Sequence, residues 1–472
     1  MSLQKNIHKE FPYPPTADQK KAISRFSTFI DQSSYSTIFL LKGYAGTGKT
    51  TLIASWLKPL QKQGYKVVLM APTGRAAKVM STYAKTKAYT IHKRIYFAQQ
   101  NKNGRIQFNL QKNKFKKSVF IVDEASMIGD EQSSSQLFQN GSLLQDLISY
   151  IDQGDRCKLI FVGDTAQLPP VKQELSPALN QNYLSLNFST EVSEVELSEV
   201  LRQDSFSGIL HNATNLRNLI HENINDKFKF LIRNISDIFR LQDGYDIQGA
   251  LEDSYRDVGR TDTIIIVRSN KRANQYNRQI RTQIMGLEND LAVGDLLLVV
   301  KNNYYWLKPE SQAGFIANGD VIEVLRILSF NELYDFRFAK VHVRLVDYPD
   351  QDTFDTVLIL DTLNADGHAL THEQSNELYQ KVRQDYSHLP KYKQYSEVKN
   401  NPFFNALQVK FAYALTCHKA QGGQWKHVFV EKPYLPEGGP SADYYRWLYT
   451  AITRASEQLF LIGFNEENFN ND

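Results

Sequence analysis

The sequence has only two cysteines in 472 residues, Cys157 and Cys417. That excludes a disulfide framework and a four-thiolate zinc site, and it suits a reducing compartment. Charge of one sign is also scarce. The 55 Lys and Arg residues against 51 Asp and Glu leave a net charge of +4. A polyanion must then be met by a local patch rather than by a field over the whole molecule. No apolar run approaches the roughly 18 residues that a membrane helix needs, and residues 1–10 lack the apolar centre of a signal peptide. No membrane partner and a cytoplasmic location are therefore expected. There is no internal repeat and no low-complexity tract. An apolar share of 42% with 22% charge excludes disorder as the main state. Aromatic residues, at 12%, are in mild excess and suit either a core or a stacking surface.

At about 100–200 residues per domain, this length implies two to four domains. Apolar runs at residues 36–41, 66–71, 119–122 and 158–162 read as buried strands separated by helical periodicity, the rhythm of a parallel sheet covered by helices. A second set at 263–267, 411–415, 427–430 and 458–462 predicts another α/β domain. Two stretches interrupt the pattern. Residues 94–98 and 105–110 alternate around Asn103-Gly104, a strong hairpin signal, and a basic run at Lys112, Lys114, Lys116 and Lys117 follows. Residues 291–400 hold short β-like runs at 296–300, 321–324, 341–345 and 356–360, as in a small β-barrel. A polar stretch, 373–400, leads back to the α/β domain.

Directly after the first strand stands Gly43-Tyr-Ala-Gly-Thr-Gly-Lys-Thr-Thr51, which fits G-x-x-x-x-G-K-[ST] in a strand–loop–helix setting. Gly43, Ala45, Gly46, Thr47, Gly48 and Thr51 supply a backbone cradle for phosphates. Lys49 neutralises the outer phosphates, and Thr50 is placed for Mg²⁺. Asp123 and Glu124 close the strand at 119–122. Asp123 is expected to hold Mg²⁺ through water and Glu124 to polarise an attacking water. ATP and Mg²⁺ are thus the expected cofactors. Near the N-terminus, Thr16-Ala-Asp-Gln19 opens a helical pattern. Thr-x-x-Gln is a capping box, and an amide at Gln19 could also read an adenine edge; the two roles can coexist.

Further motifs follow in order: Gly163-Asp164-Thr-Ala-Gln167-Leu-Pro-Pro, Leu201-Arg202-Gln203, Ala414-Leu-Thr416-Cys-His418-Lys-Ala-Gln421-Gly422 and Tyr449-Thr-Ala-Ile-Thr-Arg454-Ala. Ala71-Pro72-Thr73-Gly and Thr90-Ile-His92 precede them. In this order the set resembles superfamily 1 helicases, specifically the RecD/Dda-like 5′→3′ DNA helicases of superfamily 1B. The resemblance implies two RecA-like parallel-sheet P-loop domains. The first, residues 1–185, carries a β-hairpin pin insertion at 91–118. The second, 186–290 with 401–472, carries an SH3-like β-barrel insertion at 291–400. It implies that Arg202 and Arg454 reach the γ-phosphate, Arg454 as an arginine finger within one chain, and that Gln167 senses that phosphate between the domains. It also implies DNA contacts by Pro72, Thr73, Thr90, His92, Asn270, Thr416 and His418.

The function so implied is an ATP-dependent motor on single-stranded and forked DNA that works as a monomer. It would serve replication, recombination or repair beside other repair or replication proteins, and associate with the nucleoid when bound to DNA. A RecD-like subunit of a nuclease–helicase assembly, or a nucleic-acid-stimulated ATPase without strand separation, is the alternative. A GTPase fits less well, because Asn270-Lys-Arg-Ala273 lacks the aspartate of a guanine reader. A nuclease resting on Asp350, Glu397 and Lys399 is built from pieces common by chance. The pin's tip is polar, so Tyr96, Phe97 and Phe108 are split between stacking on a fork and packing in their own domain.

Overall fold

A computed structural model describes residues 2–32, 37–100, 106–130, 142–200, 207–222, 228–308, 311–365, 367, 369–434 and 440–470, without the side chains of 98–100, 106–108 and 392. Two parallel sheets and a closed barrel organise the chain. The first sheet runs in space Ala88–Thr90, Lys66–Ala71, Lys116–Val122, Asp155–Gly163, Thr37–Gly43, Glu191–Leu197. The second runs Ala414–Thr416, Thr263–Val267, Trp425–Glu431, Ala455–Ile462, Ile238–Leu241. All pairs within both sheets are parallel. Their central strands are apolar at successive positions because helices cover both faces; Phe39, Leu40 and Leu41 are wholly buried.

Aromatic packing fixes the helices that flank the first sheet. Phe26 of helix Ala17–Asp31 stacks on Trp56 of helix Lys49–Lys62 at 3.9 Å, nearly coplanar, and Phe39 meets both rings edge-on. Offset and edge contacts of this kind add about 0.5–1.5 kcal/mol each beyond their buried area. They hold the middle of helix Lys49–Lys62 and helix Ala17–Asp31 against strand Thr37–Gly43; that strand and helix Lys49–Lys62 flank the glycine-rich loop.

The barrel is formed by Leu296–Val299, Val321–Leu333, Phe336–Leu345, Phe354–Ile359 and Leu407–Phe411. Helices His372–Asp385 and Lys391–Asn400, from the stretch read as a polar lead, pack Leu378, Val382 and Val398 against Phe336, Phe338, Val357 and Ile359. Strands Tyr96–Gln100 and Ile106–Leu110 pair antiparallel, Tyr96 opposite Leu110. The turn expected at Asn103-Gly104 lies outside the described residues. Among the described residues no helix is long and apolar enough to cross a membrane.

Two expectations change. The run 411–415 is not one strand. Leu407–Phe411 closes the barrel, beyond the expected end of the insertion at 400, while Ala414–Thr416 edges the second sheet. A continuous apolar run carries no periodicity that shows such a break. Strand Glu191–Leu197 joins the first sheet beside Thr37–Gly43, past the expected boundary at 185. As an edge strand it needs few apolar residues, and its glutamates at 191, 194 and 196 hide it.

The barrel joins the second sheet through a buried ion pair. Arg281 donates to both carboxylate oxygens of Asp295 at 3.0 Å, and Tyr413 Oη donates to Asp295 Oδ1 at 3.0 Å. Asp295 has no solvent exposure. Removing one partner strands a buried charge, which costs about 3–5 kcal/mol. Asp295→Ala is therefore expected to lose that much stability, read as a lowered urea midpoint for the transition that unfolds the second sheet and barrel.

Candidate functional site

Strand Thr37–Gly43 ends in a loop whose backbone demands glycine. Gly46 and Gly48 lie at φ of +77° and +82°, and a Cβ on Gly43 would sit 2.9 Å from Thr47 Oγ1. Lys49 Nζ donates to Gly43 O at 2.7 Å and Tyr44 O at 2.9 Å, so the ammonium rests on the loop's own carbonyls. Thr50 is exposed beside it and Thr51 is half-buried. Gln19 is fully buried and has two jobs. With Thr16 it forms a reciprocal capping box, and its Nε2 donates to Thr47 O at 3.1 Å. In this structure its amide therefore braces the loop from behind.

Strand Lys116–Val122 delivers Asp123 and Glu124 to the same edge. Asp123 accepts the Glu124 N–H at Oδ1, 2.9 Å, and the Tyr83 hydroxyl at Oδ2, 2.6 Å. Glu124 stands in the left-handed region at φ +55°, a strain of about 1–3 kcal/mol for a non-glycine residue. Burial raises its carboxyl above the ordinary range; Asp123 and Asp164 push the same way, while Arg454 and Lys49 oppose them. Glu124 thus feels charges from the glycine-rich loop, the third strand end and the second sheet at once.

Segment Asp164–Leu168 follows strand Asp155–Gly163. Helix Ala442–Ile452 of the second domain grips it: Tyr449 Oη donates to Asp164 Oδ2 at 2.7 Å, Thr450 Oγ1 accepts the Leu168 N–H at 2.8 Å, and Arg446 donates to Thr165 O. Gln421 Nε2 adds a bond to Leu168 O at 2.6 Å. Between these contacts Gln167 is 6% exposed, and its Oε1 has no hydrogen-bond partner. Arg454, 4% exposed, donates to Thr450 O, Gly423 O and Thr453 Oγ1. Its charge reaches Glu124 electrostatically while its hydrogen bonds stay within the second domain. Arg202 lies outside the described residues.

The residues expected to meet a nucleic acid all follow the C-terminal ends of parallel strands, where ligands of such sheets bind. Pro72 and Thr73 follow Lys66–Ala71, and Thr73 Oγ1 caps helix Gly74–Ala84 by accepting the Ala76 N–H at 3.2 Å. Thr90 ends Ala88–Thr90 and accepts the Lys93 N–H at 3.2 Å. Burial lowers the neighbouring His92 to about 4, so its ring is neutral at pH 7. Across the cleft, Thr416 ends Ala414–Thr416, and His418 and Asn270 are exposed. Gly422 approaches the first domain so closely that a Cβ there would lie 3.4 Å from Thr73 Oγ1. A cavity of 330 Å³ between first domain and barrel is lined by Lys78, Lys87, Thr90, Lys93 and Tyr348. Tyr96 packs inside, donating to Asp146 Oδ2 at 2.6 Å, whereas Phe97 is exposed; Phe108 lies among the side chains not described.

Among the described residues no three His, Cys, Asp or Glu side chains form a metal cluster. The donors present, the exposed Thr50 hydroxyl and Asp123, fit a divalent ion carried mainly by phosphate and water. Sequence reasoning assigned no role to Tyr83, Asp164, Tyr449 or Thr450. Three of them stand inside quoted motifs, and the available signal was hydroxyls and a carboxylate among residues otherwise fit for a core. Gln19→Ala removes both the cap and the brace, so a stability loss of about 1–3 kcal/mol is expected by thermal or urea denaturation.

The AAA domain family matches residues 15–231, and the UvrD-like helicase C-terminal domain matches residues 411–462. The chain is 28% identical over 202 residues to the ATP-dependent RecD2 DNA helicase of Deinococcus radiodurans, covering 43% of this chain and 25% of that one. It is 25% identical over 331 residues to the ATP-dependent DNA helicase dda of Enterobacteria phage T4, covering 66% and 67%. An uncharacterised mimivirus protein, R530 of Acanthamoeba polyphaga mimivirus, is 23% identical over 93% of this chain and 98% of its own. Among solved structures, a Bacteroides Pif1 helicase in complex with ADP-AlF3 and ssDNA aligns at 16% identity over 98% of this chain and 95% of its own, with a TM-score of 0.48. The chain thus spans a quarter of RecD2 and two thirds of Dda.

Proposed function

We infer that this chain, which belongs to the superfamily 1B DNA helicases, hydrolyses ATP to move 5′→3′ along single-stranded DNA and unwinds the duplex ahead of it. One observation carries the reading: Glu124 lies within the fields of Lys49, Asp123, Asp164 and Arg454, which come from both parallel-sheet domains. A site built from two domains changes when their separation changes, which a motor requires and a simple phosphotransferase does not.

Each group then has a task. The loop amides at residues 43–51 and Lys49 bind the phosphates, for which Lys49 must leave its two carbonyls. A bound Mg²⁺ would be held by Thr50 and, through water, by Asp123, and would neutralise charge on the phosphates. Glu124, ionised, orients and deprotonates the attacking water. Gln167 has its amide oxygen free to accept from that water, and its amide N–H can donate to the terminal phosphate. Arg454 supplies charge from the second domain, and the family resemblance gives Arg202 the same task. Thr73, Thr90, Thr416 and Asn270 bond phosphates of one strand, and the neutral His92 stacks or donates a hydrogen bond. Pro72 and His418 flank that track. The hairpin at 96–110 is the splitting pin, and with both motor domains in one chain a monomer suffices. Replication, recombination or repair is the setting such a motor serves.

The deciding assay compares duplexes that carry a 5′ or a 3′ single-stranded tail. Unwinding of the 5′-tailed substrate is expected; activity confined to the 3′-tailed one contradicts the polarity. Glu124→Gln should bind nucleotide and DNA as before while kcat falls by about 10²-fold or more. Because the base acts ionised and burial raises its carboxyl, turnover falls as pH drops through that raised value. The acid limb of the wild-type kcat profile should accordingly lie above 4.5, the ordinary carboxylate value, in a stopped-time phosphate-release assay.

A further inference from the structure

The Tyr449 hydroxyl touches the glycine-rich loop as well as Asp164. It accepts the N–H of Ala45 at 2.9 Å and donates to Asp164 Oδ2 at 2.7 Å. The polarity is forced, because a backbone N–H can only donate, which leaves the phenolic proton for the carboxylate. Both side chains are 1% exposed, so water does not compete for the bond between them, while Ala45 is half-buried. The other Asp164 oxygen accepts the Ala166 N–H at 2.9 Å and thereby shapes the turn that presents Gln167. One oxygen atom of the second domain thus stands between the loop that must close on phosphate and the turn that carries the γ-phosphate sensor.

We propose that Tyr449 is a positioning residue whose hydroxyl ties the phosphate loop to the Gln167 turn, so that nucleotide binding at Ala45 and the seating of the second domain change together. This rests on the ATPase reading given above. A nucleotide draws the loop amides toward its phosphates. Any turn of the Ala45 N–H away from Tyr449 releases one of the two bonds that seat the phenol, and Asp164 takes up the change. Thr450 and Arg446, on the same helix, hold Leu168 and Thr165, so the turn moves with the helix rather than apart from it. Phenylalanine keeps the ring in its packed site and removes only the hydroxyl.

The test uses the full chain and two readouts. Amide hydrogen exchange of the peptide spanning residues 43–51, without nucleotide or DNA, should speed about tenfold or more in Tyr449→Phe. In steady-state assays the DNA-stimulated kcat should fall about tenfold while KM for ATP moves less than twofold. Asp164→Asn should give the same split, and the double variant should be no worse than the weaker single one. If Tyr449→Phe does not fold, Asp164→Asn carries both readouts alone. Wild-type exchange in the loop peptide, additive losses in the double variant, or parallel loss of KM, kcat and thermal stability would each overturn the tie. A wild-type chain without DNA-stimulated ATPase would instead overturn the functional reading, and the exchange measurement would still decide the tie because it needs neither ligand.

Discussion

The seating of helix Ala442–Ile452 on the segment Asp164–Leu168 is the contact on which the rest of the site depends. It is made of hydrogen bonds, buried at Asp164 and Leu168 and partly buried at Thr165, rather than of surface ion pairs. Exposed pairs contribute little and shift easily, whereas a buried donor left without its partner costs about 1–3 kcal/mol. The second sheet is therefore held at a defined distance from the glycine-rich loop. At that distance the two cations assigned to the phosphates in the proposed mechanism rest on neutral oxygens: Lys49 on Gly43 and Tyr44, Arg454 on Thr450, Gly423 and Thr453. A triphosphate offers these cations anionic oxygens in place of neutral ones. The nucleotide can thus draw both side chains off their carbonyls without breaking an ion pair first.

The barrel is inserted where it leaves that arrangement intact. The chain leaves the second domain after Arg281 and returns through Phe411 and Tyr413. Asp295 pairs with Arg281 and Tyr413, and the Arg281 guanidinium lies 4.3 Å from the Phe411 ring centroid. Exit and return are thereby stitched to one buried point, and the second sheet keeps its strand order. On its far side the barrel reaches the first domain, where Lys93 donates to Gln312 O at 2.6 Å. Burial lowers the Lys93 ammonium to about 8, which marks this junction as a poorly solvated place for a cation.

Much of this was legible in the sequence because its cause is local. The phosphate loop shows because its backbone needs glycine at fixed places, and the central strands show because burial on both faces makes them apolar throughout. The capping box at Thr16 and Gln19 shows for the same reason. What stayed hidden depends on partners distant in sequence. Nothing in the run 411–415 announces that Phe411 pairs with Leu297 while Ala414 pairs with Ile265. Glu191–Leu197 takes its identity as a strand from Leu41 and Gly43 across the sheet. Gln19 shows both limits at once: its cap follows from three residues of spacing, while its bond to Thr47 required the fold.

The two sides of the cleft share one construction, and it accounts for how nucleic acid could be felt at the nucleotide. In the first domain, Thr73 caps helix Gly74–Ala84, and Tyr83 near that helix's end donates to Asp123. In the second, Thr416 and His418 open the short turn whose next polar residue, Gln421, donates to Leu168 O beside Gln167. Thr73 on one side and Thr416 on the other are therefore each joined to the proposed hydrolytic site by one short element, not by a long chain of side chains. Gly422 brings the two elements together, close enough to Thr73 and Ala76 that a side chain would not fit without displacement. A strand lying across Thr73 and Thr416 would bear on both elements at once, and through Asp123 and Leu168 on Glu124 and Gln167, the groups proposed to frame the attacking water. On the proposed motor reading, movement along the strand and hydrolysis are coupled through these short paths, because rigid elements pass on a displacement that flexible side chains would absorb.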